Sequence, residues 1–157
     1  MVDFDSLVAD LGGVAVERNP SAVKQKSRDF FWYSPVLKRQ LDHVSADIVA
    51  SPTTDEEIAR VLAACHRHGV PVTVRGAGTG NYGQAMPLAG GLVLNLAGIS
   101  DIRSIGAGTV TTGPGAILAD IDRATRSAGG QELRMHPSTH RTASIAGFVA
   151  GDIIFMS

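Results

Sequence analysis

At 157 residues the chain has the length of a single domain, and folding a chain of that size removes roughly two-thirds of its unfolded surface from water. Its 14 basic and 15 acidic residues leave a net charge of −1, which excludes the broad positive surface that nucleic acid or an anionic membrane requires. An apolar fraction of 44% with 18% charged residues describes an ordinary globular protein, but the 18 glycines stand out, because the customary share is ~7%.

The lone Cys65 excludes an internal disulfide and fits a reducing compartment. The opening MVDFDSLVAD carries acidic residues where a secretory leader carries basic ones. No stretch approaches the ~20 apolar residues that span a bilayer. The expectation is a cytoplasmic protein without direct membrane insertion.

Phe4, Leu7, Val8 and Leu11 fall at helical spacing and predict a short helix stopped by Gly12-Gly13. Residues 18–46 are mixed, so 1–46 is read as a helical and irregular N-terminal segment. Its cluster Phe30-Phe31-Trp32-Tyr33 reads as a packing anchor, with a binding cage as the alternative. Lys24, Lys26, Arg28, Lys38 and Arg39 form either a solvated face or a docking edge.

From Asp47 the pattern sharpens. Ile48-Val49-Ala50 reads as a buried strand, and Thr54 with Glu57 three residues later is the signature of a capping box. Ile58, Val61, Leu62 and Cys65 stripe the helix that follows, Gly69 stops it, and Val70 to Val74 is a β-branched strand. Residues 47–75 therefore form a βαβ unit with parallel strands and a right-handed crossover. Gly91 to Leu96 predicts another strand, with shorter ones at Ile99–Ile105 and Thr109–Thr112. Ile117, Leu118, Ile121, Ala124 and Ala128 predict an amphipathic helix ended by Gly129-Gly130.

The segment VTVRGAGTGNYG contains G-x-G-x-x-G over Gly78–Gly83. A dinucleotide turn of Rossmann type needs a helix to follow, and QAMPLAGG, with a proline and two glycines, denies it. A P-loop is excluded as well, because no Gly-Lys-Ser/Thr follows. What remains is a glycine-rich loop between strands, in which Gly76, Gly78 and Gly80 leave successive peptide N–H groups unobstructed. Such a concave row of amides holds an anion, with Arg75 at its mouth adding charge; a tight turn that binds nothing is the alternative.

The histidines carry no metal-site pattern. His66 and His68 project roughly 200° apart around one helix, and a proline-containing loop separates His136 from His140. No nucleophile–base grouping is legible, so no catalytic residue is assigned.

The segments IVASPTTDEEIARVLAACHRHGVPVTVRGAGTG, GGLVLNL, VTTGPGAILADIDRATRSAGG and HPSTHRTASIAGFVAG, in that order and spacing, resemble the flavoproteins of the vanillyl-alcohol oxidase and p-cresol methylhydroxylase (PCMH) type. Within that family they are most similar to the glycolate oxidase flavoprotein subunit and the D-lactate dehydrogenases. The resemblance implies an α+β, PCMH-type FAD-binding domain over 47–157. It would comprise a small parallel βαβ subdomain (about 47–96) and part of a second, mixed or antiparallel α+β subdomain, with FAD between them. It also implies that Arg75, Gly76, Ala77, Gly78, Thr79, Gly80 and Asn81 wrap the diphosphate, with Gln84 near the flavin end. The strip His136-Pro137-Ser138-Thr139 with Ser144-Ile145-Ala146-Gly147 would follow the ribityl chain and flavin ring; local turn capping is the alternative reading of Ser138, Thr139 and Ser144.

Relatives that bind FAD covalently use a histidine inside the first loop. Ala77, Gly78 and Thr79 stand here instead, which implies non-covalent FAD. The family implies oxidation of a small 2-hydroxy acid by hydride transfer to the flavin, with an electron-acceptor subunit as a candidate partner; an apolar face left exposed by a missing half would favour a homo-oligomer. After FVAG the chain reads Asp152-Ile153-Ile154-Phe155-Met156-Ser157. By the resemblance it is an N-terminal fragment that lacks the catalytic and substrate-binding parts; the alternative is an inactive flavin-binding remnant or a partner-binding domain.

Overall fold

The computed structural model describes residues 3–151, so the closing stretch Asp152–Ser157 lies outside the described residues. Helix α1 (Phe4–Asp10) and strand β1 (Ala15–Glu17) precede helices α2 (Pro20–Lys26) and α3 (Pro35–Leu41). Strand β2 (Ile48–Ser51), helix α4 (Asp55–His68), strand β3 (Val72–Arg75) and strand β4 (Leu92–Asn95) follow. Strands β5 (Ile102–Gly106) and β6 (Thr109–Thr112) and helices α5 (Leu118–Gly129) and α6 (Ile145–Gly151) complete a mixed α+β architecture.

The first sheet runs β1-β2-β4-β3. Strand β4 pairs in parallel with β2 on one side and β3 on the other, while β1 joins β2 antiparallel. The two strands of the βαβ unit are thus parallel within one sheet, but β4 lies between them. Its composition explains why. All four residues of Leu92-Val93-Leu94-Asn95 are buried, and a strand apolar on both faces belongs where both faces are covered.

Alternation sorts the side chains into two layers. Ile48, Ala50, Leu92 and Leu94 point to one face, where Leu7 and Leu11 from the α1 region and Val61, Ala64 and Cys65 of α4 cover them. Val49 and Val93 point to the other, against Val23 of α2 and Ala46. The N-terminal segment thus contributes an edge strand and cover to both faces.

Both ends of α4 follow from local chemistry. Thr54 Oγ1 accepts the Glu57 N–H at 3.2 Å. The Glu57 carboxylate reaches one residue further than in the usual box, accepting from Thr53 N at 2.6 Å and Thr53 Oγ1 at 3.0 Å. The Thr53 amide is the main reason that the Glu57 carboxyl lies below its ordinary pKa. At the other end Gly69 takes φ 63°, and Val70 N donates to Cys65 O while Gly69 N donates to His66 O, the paired bonds of a Schellman motif.

A second, two-stranded sheet is the antiparallel hairpin β5–β6. The Gln131 side chain beyond α5 clamps its turn, accepting from Gly108 N and donating to Gly106 O. Beneath α5 and α6 a small cluster of Leu118, Ala143 and Phe148 closes the layer. Among the described residues no helix is long and apolar enough to cross a membrane.

Leu94 is 1% exposed at the centre of the larger core. Leu94→Ala is therefore expected to cost about 2–5 kcal/mol. The check is the urea midpoint, which should fall with little change in the slope of unfolding free energy against urea.

Candidate functional site

The segment between β3 and β4 contains no helix, so the G-x-G-x-x-G letters do not form a Rossmann turn. Two glycines show why the loop is built as it is. Gly76 has no room for a side chain, because a β-carbon there would collide with the Ser144 hydroxyl. Gly78 takes φ +70°, and a β-carbon would collide with the Arg75 guanidinium.

Two of the loop's amides are used within the protein: Ala77 N donates to Ser144 Oγ at 3.2 Å, and Tyr82 N to Gln84 Oε1 at 3.1 Å. Those of Gly78, Thr79, Gly80 and Asn81 find no acceptor among the described residues. Gly78, Thr79 and Gly80 are half-buried and Asn81 is exposed, so these four amides in succession make a donor surface on the cleft wall.

The second predicted strip faces this loop. Pro137, Ser138, Thr139, Ser144 and Gly147 line the same cleft, of about 410 Å³, as Gly76, Ala77, Gly78, Thr79, Gly80, Asn81 and Gln84. The strip is shaped by consecutive turns, in which His140 N donates to Pro137 O and Thr142 N and Ala143 N to Thr139 O. Ser144 is 2% exposed, and an isolated antiparallel bridge to Ile117 fixes it. Its hydroxyl is thereby brought under Gly76, where it accepts from the opposite wall.

Two predicted residues stand outside the cleft. Ala146 is held by its backbone, its N–H donating to Pro114 O at 3.2 Å, and does not line the space. Arg75 departs from the expected place at the loop's mouth. Its guanidinium turns behind the loop, donates to Arg28 O, and lines a second hollow with Arg28, Trp32 and the far side of Gly78 and Thr79. Burial there pushes its pKa down, while the nearby Asp29 charge pulls it back up. Of the aromatic cluster only Phe31 is fully buried; Trp32 and Tyr33 stack on each other at 4.1 Å between ring centroids, at the surface.

Sequence reading missed Asp29, which also lines the cleft. It is 5% exposed; Oδ1 accepts Phe31 N at 2.8 Å, and Oδ2 has no partner. Phe30 N donates to Gly80 O at 2.8 Å and ties the Asp29 segment to the loop. No local pattern announces a contact between residues that lie so far apart in the chain. No Lys or Arg is among the described residues lining the cleft, so whatever anion it holds is met by dipoles rather than by side-chain charge.

Removing the Ser144 acceptor leaves the half-buried Ala77 N–H without its partner. Ser144→Ala is expected to lower the unfolding free energy by about 1–3 kcal/mol, whereas the exposed Ser138→Ala should stay within about 0.5 kcal/mol of wild type. Paired urea titrations of the two variants make the check.

Comparison with known proteins agrees with this geometry. A family model described as an FAD binding domain matches residues 46–156. The glycolate oxidase subunit GlcD of Bacillus subtilis is 40% identical over 103 residues, covering 64% of this chain and 22% of that protein. The D-lactate dehydrogenase of Archaeoglobus fulgidus is 30% identical over 104 residues, covering 66% of this chain and 23% of that one. The chain thus spans under a quarter of the length of these relatives. Among solved structures, alkyldihydroxyacetonephosphate synthase superposes over 94% of this chain and 29% of its own, with a TM-score of 0.79 at 14% identity. p-Cresol methylhydroxylase does so over 93% and 29%, with a TM-score of 0.75 at 16% identity. The PCMH-type fold inferred from the sequence is the fold observed, and the chain belongs to the FAD-binding domain family of FAD-linked oxidoreductases.

Proposed function

We propose that the cleft binds FAD non-covalently, with the diphosphate on the amides of Gly78, Thr79, Gly80 and Asn81. The observation that carries this reading is those four consecutive unpaired donors on a cleft wall. Pro137, Ser138, Thr139 and Gly147 on the opposite wall are then placed along the ribityl chain and ring, with Gln84 at the flavin end. Ser144 serves from below as the tie between walls and Arg75 as the brace behind the loop. Attachment is non-covalent because Ala77, Gly78 and Thr79 offer no imidazole in the stretch where related flavoproteins carry a linking histidine.

Residues 47–157 form the FAD-binding unit in this reading, and residues 1–46 brace it. Bound FAD supplies a hydride acceptor, and in the whole enzyme the substrate is a small 2-hydroxy acid, as the relatives named glycolate oxidase and D-lactate dehydrogenase indicate. This chain's own contribution is to bind, orient and partly desolvate the cofactor. Of the residues lining the cleft, Asp29 and Tyr82 are the ionisable ones. Asp29 is buried behind the loop and Tyr82 is 71% exposed. Neither stands as a base against a substrate, which favours the reading that this chain taken alone binds FAD and turns nothing over.

Titration of the purified chain with FAD, followed by flavin absorbance and thermal melting, tests the proposal. At a hundredfold excess over Kd, binding adds about 2.7 kcal/mol and raises Tm by roughly 5–10 °C. Gly78→Val is expected to weaken FAD affinity at least ~10-fold, because a side chain at positive φ displaces the loop. A wild-type chain that gains no stability with FAD, or a Gly78→Val chain that binds it equally well, would overturn the reading.

A further inference from the structure

We infer that Asp29, with Arg75, makes the cleft selective for phosphates bearing a single charge each, as in an internal diphosphate, over terminal phosphate monoesters. This inference rests on the FAD reading above and adds a specificity residue to it.

The loop meets its ligand with peptide dipoles, and the described lining contains no Lys or Arg. At its back stand two opposite charges that attract each other without a direct salt bridge. The Arg75 guanidinium is packed against Gly78 and held by Arg28 O. The Asp29 carboxylate lies beneath Gly80, with Oδ2 3.4 Å from where a Gly80 β-carbon would stand. Asp29 is 5% exposed and its Oδ2 has no hydrogen-bond partner among the described residues, so no protein donor neutralises that oxygen. It offsets the charge of Arg75, and the loop presents no net cation to the cleft.

An internal diphosphate carries one negative charge on each phosphorus, and amide dipoles suffice for it. A terminal monoester carries about −1.5 to −2 on one phosphorus at pH 7. The second charge finds no compensating cation and repels the carboxylate through a poorly screened interior. Asp29 therefore taxes ligands whose charge is concentrated. Removing its charge leaves Arg75 uncompensated behind the loop; removing that of Arg75 does the reverse.

The test is competition of riboflavin and FMN against bound FAD, on the wild-type chain, Asp29→Asn and Arg75→Gln. The readout is the ratio of riboflavin to FMN dissociation constants, which isolates the monoester. In the wild type the ratio should lie within about threefold of unity. Asp29→Asn keeps an oxygen for Phe31 N and should raise the ratio about 10-fold, as one charge acting at moderate dielectric would. Arg75→Gln should push it below the wild-type value, an opposite response that loss of packing alone does not produce. A wild-type chain that binds FMN more than ~10-fold tighter than riboflavin would overturn the inference, and this arm decides alone if a variant fails to fold. So would a ratio that Asp29→Asn leaves unmoved while FAD still binds; that result spares the FAD reading. A wild-type chain that does not bind FAD overturns both.

Discussion

The donation from the half-buried Ala77 amide to the buried Ser144 hydroxyl, 3.2 Å long, is the contact on which the site's architecture depends. It joins the loop that leaves β3 to the strip that opens α6, two pieces that share no secondary structure. Only a residue without a β-carbon at position 76 lets the hydroxyl approach. With the walls pinned there, the amides from Gly78 to Asn81 line one side of a cleft and the Pro137–Thr139 turn lines the other. The larger core does not reach this contact; it holds the sheet from which the loop is launched.

That sheet places the loop where parallel sheets commonly bind ligands, outside the carboxyl ends of strands. Strand β3 ends at Arg75 beside Asn95 of β4, and the chain turns outward into the glycines. Many α/β proteins meet phosphate there with a helix N-terminus; here no helix follows, and a glycine-rich loop stands in that position. Among the described residues the cleft is lined by no Lys or Arg, and the buried Asp29 is its one carboxylate. On the reading proposed above, a site so lined is selective as to how charge is spread along its ligand.

The legible parts of the fold were those set by local chemistry. Thr54 and Glu57 announced the start of α4, Gly69 its end, and the apolar run within Gly91–Leu96 a strand, which the structure shows buried along its whole length. The strand β1 was not announced, because Ala15-Val16-Glu17 is three residues long and gains its identity only by pairing with β2. Helices α2 and α3 begin at Pro20 and Pro35, capped by Asn19 and Ser34. Each is only two turns long, too short for periodicity to show. The position of β4 between β2 and β3 depends on which strand is covered on both faces, a tertiary property. The site divides similarly. The glycine loop was readable from spacing, and the Pro137–Gly147 strip from family resemblance. The orientation of Arg75 and the presence of Asp29 were not, because both follow from how residues 28–31 fold back against the loop.

The most direct measurement is a two-dimensional amide NMR titration of the isotopically labelled chain with FAD, following the resonances of Gly78, Thr79, Gly80 and Asn81. Peptide protons that begin to donate to phosphate oxygens move downfield, so these four should shift the most among the loop amides, while Ala77, already bonded to Ser144, moves less. If flavin binds and those four resonances stay in place while others move, the diphosphate lies elsewhere and the glycine loop is not its cradle.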